Sequence, residues 1–101
     1  MKKLFIAAFM FVSTFGNNVM ADGHAIKMGI ILGFTGPIES LTPAMAASAE
    51  LAFKEASDSG SLLGGKKITP VRADSTCVDS AAATTAAEGI ISEGVAAIMG
   101  A

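Results

Sequence analysis

Few residues of this chain could carry out covalent chemistry. The 101 residues include one cysteine and one histidine, Cys77 and His24, which could act as nucleophile and base together with a carboxylate such as Asp74 or Asp79. His24 lies on a polar arm near the start of the chain, and a cysteine in an exported protein is far more often half of a disulfide than a nucleophile. The sequence therefore favours a protein that is not an enzyme.

The sequence indicates neither a metal site nor a nucleotide site. A single histidine and a single cysteine far apart lack the ligand spacing of a metal centre. The first strand-to-helix turn lacks the G-x-G-x-x-G spacing of dinucleotide-binding proteins, since its glycines are Gly29, Gly33 and Gly36. Residues 64–67 include glycines and lysines but enter a predicted strand. We therefore expect no metal and no cofactor.

The composition is that of a small folded domain. Hydrophobic residues make up 51% of the chain and charged residues 16%, the reverse of a disordered sequence. The formal net charge is −2, and tryptophan and tyrosine are absent, so the chain has neither the positive charge nor the aromatic surface that nucleic-acid binding needs. We expect no nucleic-acid partner.

The chain begins like a secretory signal peptide. A positively charged start is followed by the apolar run 4–12, which polar residues within 13–18 interrupt. The run is far shorter than the roughly 20 residues that cross a bilayer. We predict cleavage between Ala21 and Asp22, with cleavage after Ala25 as the alternative.

Removal of residues 1–21 defines the mature domain as residues 22–101. It is mildly acidic, and because Cys77 is far from the predicted cut, no thiol is placed there for lipid attachment. We therefore expect a periplasmic, secreted protein with no stable membrane insertion. Cys77 has no second cysteine within this chain, although oxidising compartments favour disulfides.

The pattern along the mature chain predicts alternating strands and helices. The apolar run 26–34 is typical of a strand buried on both faces, and 35–41 is predicted as a loop. Thr42 is the predicted N-cap of a helix that ends near Asp58. The predicted inner face of this helix is Met45, Ala49, Ala52, Phe53 and Ala56.

Two more strands and a second helix complete the predicted order. We predict a Glu50–Lys54 pair on the first helix, then a strand over 67–73 in which Pro70 favours an edge position. Asp79 is the predicted N-cap of a helix that ends near Glu93, and residues 95–99 form the third strand. The predicted inner face of the second helix is Ala83, Ala86, Ala87 and Ile90.

The order strand, helix, strand, helix, strand predicts an α/β fold with a parallel, doubly wound sheet. In such sheets ligands bind beyond the carboxyl ends of the strands, which points to loops 35–41 and 74–78. Three strands and two helices leave sheet edges and faces uncovered, so we expect half of a larger domain.

Six short stretches, taken together and in order, resemble the periplasmic branched-chain amino-acid-binding proteins of ABC transporters, the leucine/isoleucine/valine-binding type. They are IKMGIILGFTGP (26–37), AELA (49–52), LGGKKI (63–68), DSTC (74–77), ISEGV (91–95) and IMG (98–100). The resemblance implies a type I binding protein with two α/β lobes that close around an amino acid and present it to a membrane permease. This chain would be the first half of lobe one, with most ligand contacts lying beyond Ala101.

The resemblance also implies roles for individual residues. The loop after the first strand carries a large side chain over the ligand in the family, and the matching position is Leu41 or the neighbouring Ser40. Cys77 matches a family cysteine that pairs with another one shortly after the third strand, beyond this chain. Proteins with this fold also include ligand-sensing receptor lobes and binding proteins for amides, urea or short-chain acids, so the ligand stays open.

Overall fold

The structure of the protein is a computed structural model, and it describes residues 25–101. The predicted signal peptide, the predicted cut between Ala21 and Asp22, and His24 lie outside these residues. The elements follow the predicted order: β1 (Ala25–Leu32), α1 (Thr42–Asp58), a short 3-10 turn (Leu62–Gly64), β2 (Lys67–Asp74), α2 (Ser80–Ser92) and β3 (Ala97–Gly100).

The three strands form one parallel sheet in the order β2-β1-β3. Met28 in the central strand lies opposite Pro70 on one side and Ala97 on the other. The edge position predicted for the second strand is therefore confirmed, and at an edge the missing N–H of Pro70 need not interrupt a ladder on both sides.

The two helices cover opposite faces of β1. Ile30 and Leu32 form a buried cluster with Ala46 of α1, whereas a side chain added at Gly29 would meet Ile90 of α2. Because successive residues of a strand point to opposite faces, α1 and α2 lie on different sides of the sheet. This confirms the α/β, doubly wound fold that the sequence predicts.

The buried face of α1 agrees with the predicted stripe only in part, since Ala49 and Phe53 pack against the core cluster and Ala56 is half-buried. Met45 and Ala52 are exposed, and the buried positions are Thr42, Ala46 and Ser57. The two buried hydroxyls on this face both form hydrogen bonds to backbone groups. Such bonds offset the cost of burying the hydroxyls, so two polar residues can belong to the buried face.

Thr42 is not the N-cap that we predicted. Leu41 occupies that position without a side-chain cap, and Thr42 is already helical. The Thr42 hydroxyl instead donates to the Gly33 carbonyl at 2.9 Å. At the other end of α1, Ser57 Oγ donates to the Phe53 carbonyl at 2.7 Å and accepts from Ile68 N–H at 2.8 Å.

The predicted Glu50–Lys54 pair is also wrong. Glu50 accepts from Arg72 of β2, with Oε1 2.6 Å from Nε and Oε2 2.8 Å from Nη2, and Lys54 pairs with Asp58. The planar guanidinium fits both carboxylate oxygens at once, which an ammonium group cannot do. The Arg72 fork therefore ties α1 to the edge strand, and its hydrogen bond lowers the pKa of Glu50.

The second half of the chain follows the predictions closely. Asp79 caps α2, since its carboxylate accepts from Ala81 N–H at 2.8 Å and from Ala82 N–H at 3.2 Å. β3 begins at Ala97, two residues later than predicted, after a turn at Gly94, whose φ is 80°. Within residues 25–101, no helix has the length and apolar character to cross a membrane.

Two glycine-to-alanine substitutions test the placement of α2. Nothing lies within 4 Å of a Cβ added at Gly89, but one added at Gly29 would be 2.6 Å from Ile90 Cδ1 and 3.2 Å from Ile98 Cγ1. We expect Gly89→Ala to raise the free energy of unfolding by about 1 kcal/mol. Gly29→Ala should lower it by about 1 kcal/mol or more through overpacking.

The two variants are best compared by urea unfolding followed by circular dichroism, since the chain has no tryptophan or tyrosine. Effects of the same sign for both variants would contradict the packing of α2 against β1.

Candidate functional site

The carboxyl ends of the three strands bring three segments to one edge of the sheet. These are loop 33–41 after β1, loop 75–79 after β2, and residues 100–101 at the end of β3. The chain leaves β1 toward β2 on one side and reaches β3 on the other side. The two connections therefore run to opposite sides of the sheet, and they diverge between the ends of β1 and β3. Open α/β sheets form ligand crevices at such a point.

Asp74 joins the first two of these segments. Its Oδ1 accepts from Phe34 N–H at 2.9 Å, from Thr35 N–H at 3.3 Å and from Thr76 N–H at 2.8 Å. Its Oδ2 accepts from the Thr35 hydroxyl at 2.6 Å. One carboxylate thus holds the start of loop 33–41 and its own loop together.

These hydrogen bonds favour the charged carboxylate. The Thr35 hydroxyl makes the largest contribution and Thr76 N–H the next, and together they lower the pKa of Asp74 although partial desolvation acts in the opposite direction. Asp74 is therefore ionised throughout the neutral range and stabilises the carboxyl edge as an anion.

The same two loops also touch through backbone that has no room for side chains. A Cβ at Gly33 would lie 2.8 Å from Cys77 Sγ, and one at Gly36 would lie 3.0 Å from the Thr76 carbonyl oxygen. Gly36 has a φ of 98°, and Thr76 and Cys77 have φ values of 59° and 61°. The left-handed turn at Thr76 and Cys77 thus fits against a glycine-lined surface.

Ser75 connects the ends of all three strands. Its backbone N–H donates to the Leu32 carbonyl at 3.0 Å, and its hydroxyl donates to the Ala101 carbonyl at 2.9 Å. The residue itself is almost fully buried, and its bond to Ala101 lies in a partly buried place. The Cys77 thiol lies beside this link, with Sγ 3.6 Å from Ser75 Oγ.

An open cleft of about 380 Å³ lies next to this link. It is lined by Ser75, Cys77, Val78, Asp79, Ser80, Ala83 and Ala101. The cleft combines small polar groups with an exposed apolar side chain, as small-molecule sites do. Because Asp79 already occupies the N–H groups of Ala81 and Ala82, those groups at the start of α2 are not free for an anion.

A second open cleft of about 500 Å³ runs between α2 and the edge strand β2. Its lining includes Thr85, Ala86 and Gly89 of α2 together with Arg72 and Ala73 of β2. It lies along the side of the sheet and away from the point where the crossovers diverge, so we place the candidate site in the first cleft and the loops around it.

The structure brings the predicted site residues to the same edge but not into one cleft. Leu41 is 61% exposed and, like its exposed neighbour Ser40, lies at the start of α1. Cys77 lines the cleft beside α2, and its thiol is exposed and free within the described part of the chain. Since the two helices lie on opposite faces of β1, these residues flank the carboxyl edge from opposite sides.

The nucleophilic arrangement considered for Cys77 finds no support in this geometry. Asp74 is engaged by Phe34, Thr35 and Thr76, and Asp79 is engaged in capping α2. Within residues 25–101, no three His, Cys, Asp or Glu side chains come together as metal ligands.

Sequence reasoning missed the roles of Asp74 and Thr42. The bond from Thr76 N–H to Asp74 is local, since an aspartate often accepts from the backbone two residues on, and an aspartate at a strand end signals such a turn. The bonds from Thr35 to Asp74 and from Thr42 to Gly33 join residues on different segments. No pattern within one segment reports them.

The acid dependence of stability tests the role of Asp74. A carboxylate whose folded-state pKa is lowered contributes stability above its unfolded pKa, and this contribution is lost as the pH falls through the folded pKa. We expect Asp74→Asn to lower the free energy of unfolding at pH 7 and to have a smaller effect below about pH 4, where unfolded aspartate is protonated. Urea unfolding at pH 7 and pH 3 measures both; equal effects at the two pH values would contradict the charged role.

Comparison with known protein families agrees with this architecture. A sequence model of the family described as periplasmic binding protein matches residues 25–101, which are all the residues of the two helices and three strands. No curated protein matches the chain at a significant level. The small parallel sheet is consistent with part of a type I lobe of this family. Members of the family are generally binding proteins and not enzymes, and the chain belongs to the periplasmic binding protein family.

Proposed function

We propose that this protein binds an amino acid of the branched-chain type in the periplasm and delivers it to the membrane permease of an ABC transporter. The observation that carries the proposal is the family match over residues 25–101. The carboxyl edge adds support, because its loops are held in one arrangement by Asp74 and by close backbone contact.

The chemistry of the edge suits a zwitterionic ligand. A carboxylate and an ammonium that leave water each need hydrogen-bonding partners, and the cleft offers the exposed hydroxyl of Ser80. The neighbouring Ser75 hydroxyl already donates to the Ala101 carbonyl. The proposal places the remaining partners in a second lobe. Ligand then favours the closed form because it contacts both lobes better when they are together.

Leu41 is the proposed apolar contact for the ligand, with Ser40 as its polar neighbour. Leu41 is 61% exposed at the carboxyl edge. Burial of its isobutyl group against an aliphatic ligand stabilises the complex by about 25 cal/mol for each Å² of apolar surface removed from water. A leucine here favours aliphatic over charged ligand side chains.

We also propose that Cys77 forms a disulfide with a second cysteine outside residues 1–101, and that residues 1–21 are removed as a signal peptide. The exposed thiol beside the end of β3 is accessible to such a partner. N-terminal sequencing of the exported protein should begin at Asp22, and thiol titration of the native protein should find no free cysteine.

Calorimetry tests the proposed ligand. The protein encoded by the complete reading frame is titrated with leucine, valine, glutamate, a short amide and urea. We expect saturable binding of leucine or valine with a dissociation constant on the order of 1 μM, which corresponds to about −8 kcal/mol. If the protein binds only the amide or urea, the ligand is of that class and not an amino acid. If a correctly folded protein binds none of these compounds, the proposal is overturned.

Two exposed leucines provide a matched test of Leu41. We expect Leu41→Ala to weaken leucine binding about tenfold, because the variant leaves less apolar surface to bury on the ligand. Leu51→Ala is the control, since Leu51 is 56% exposed on α1 and lies more than two helical turns from the carboxyl edge. Calorimetry with leucine measures the dissociation constant of both variants. Equal losses of affinity in the two variants would contradict the role given to Leu41.

A further inference from the structure

Loop 33–41 is fastened at both of its ends. At its start, Asp74 accepts from Phe34 N–H, Thr35 N–H and the Thr35 hydroxyl. At its end, the first residue of α1, Thr42, donates its hydroxyl to the Gly33 carbonyl at 2.9 Å. The loop therefore leaves and returns to nearly the same place. Its own backbone shapes its second half, where Leu41 N–H donates to the Ile38 carbonyl at 2.9 Å, and the two anchors hold its ends.

The two anchors have different strengths. The Thr42 bond is a single hydrogen bond between neutral groups. Asp74 makes three bonds to the loop as an anion, and hydrogen bonds to charged groups are worth about twice as much as neutral ones. The carboxylate is thus the dominant anchor of loop 33–41.

We infer that Asp74 is a positioning residue for ligand binding: through Phe34 and Thr35 it sets the conformation of the loop that carries Ser40 and Leu41. This inference rests on the proposed function. Both carboxylate oxygens are already engaged by protein donors, Oδ1 by three N–H groups and Oδ2 by a hydroxyl. Asp74 therefore acts on the ligand only through the loop.

Loss of the Asp74 anchor lowers the fraction of molecules in which loop 33–41 has its binding-competent conformation. The apparent dissociation constant rises in inverse proportion to that fraction. We expect Asp74→Ala, which removes the three Asp74 bonds to the loop, to weaken leucine binding on the order of tenfold. Asp74→Asn keeps an acceptor for the N–H groups and an amide that can donate to Thr35 Oγ1, so it should restore most of the affinity.

Ser57→Ala is the matched control. Like Asp74, the Ser57 hydroxyl joins β2 to another segment, since it links α1 to β2 through Phe53 and Ile68, but it lies at the opposite edge of the sheet. This variant loses hydrogen bonds as Asp74→Ala does while leaving loop 33–41 untouched. A purely structural role for Asp74 would make the two variants equal in leucine affinity once both are folded.

The experiment combines calorimetry with leucine and amide hydrogen exchange on the protein from the complete reading frame. We expect Asp74→Ala to lose affinity and to speed exchange at Phe34 and Thr35, and Ser57→Ala to do neither. If Asp74→Ala fails to fold, Thr35→Val removes only the 2.6 Å bond to Asp74 and should weaken binding by a smaller factor, with Thr35→Ser restoring it.

The outcomes separate this inference from the proposed function. A wild-type protein that binds none of the amino acids overturns the proposed function, and with it the ligand half of the inference. Wild-type binding with equal affinity in Asp74→Ala and Ser57→Ala overturns the inference alone. If a folded Asp74→Ala variant shows unchanged amide hydrogen exchange at Phe34 and Thr35, the inference about Asp74 is overturned, whichever ligand the protein binds.

Discussion

The central strand β1 is paired with a strand on both sides and covered by a helix on both faces, and the arrangement of the other elements follows from this burial. Ile30 in the centre of β1 has no exposed surface, and Gly29 leaves room for Ile90 of α2 on the other face. Parallel neighbours on both sides require two crossovers in opposite directions. The loops that begin these crossovers therefore meet at one edge, and the candidate site is a consequence of how the central strand is buried.

Polar groups then organise that edge. Thr42 and Ser75 are buried, and each satisfies its hydroxyl on a backbone carbonyl of another segment. Leaving such a hydroxyl unpaired would cost about 1 to 3 kcal/mol, so each bond also specifies which segments lie together. Asp74 does the same with a charge, and close contact at Gly33 excludes other arrangements of the two loops. The edge is preorganised before any ligand arrives, which reduces the ordering cost of binding.

The sequence predicted the parts of the fold that depend on local patterns. The order of elements, the edge position of Pro70 and the cap at Asp79 follow from burial runs, a missing donor and a short side chain before a helix. The inner face of α1 followed only in part, because Met45, Ala46 and Ala52 are all apolar and the pattern alone does not tell which of them faces the sheet. The Glu50–Lys54 prediction failed because a better partner for Glu50 came from β2.

The candidate site was predictable only in its location. The carboxyl edge follows from a parallel sheet, but the link between Asp74 and Thr35 joins residues far apart in the chain. Family resemblance supplied Leu41 and Ser40, which lie at the carboxyl edge of the sheet, and their role in ligand binding stays a prediction.

NMR with leucine added to the isotope-labelled protein from the complete reading frame locates the bound ligand. We expect shift changes in loops 33–41 and 75–79 and at residues 100–101, with little change at residues 57–67 on the opposite edge. Changes confined to residues 57–67, or to the cleft between α2 and β2, would contradict a site at the carboxyl edge.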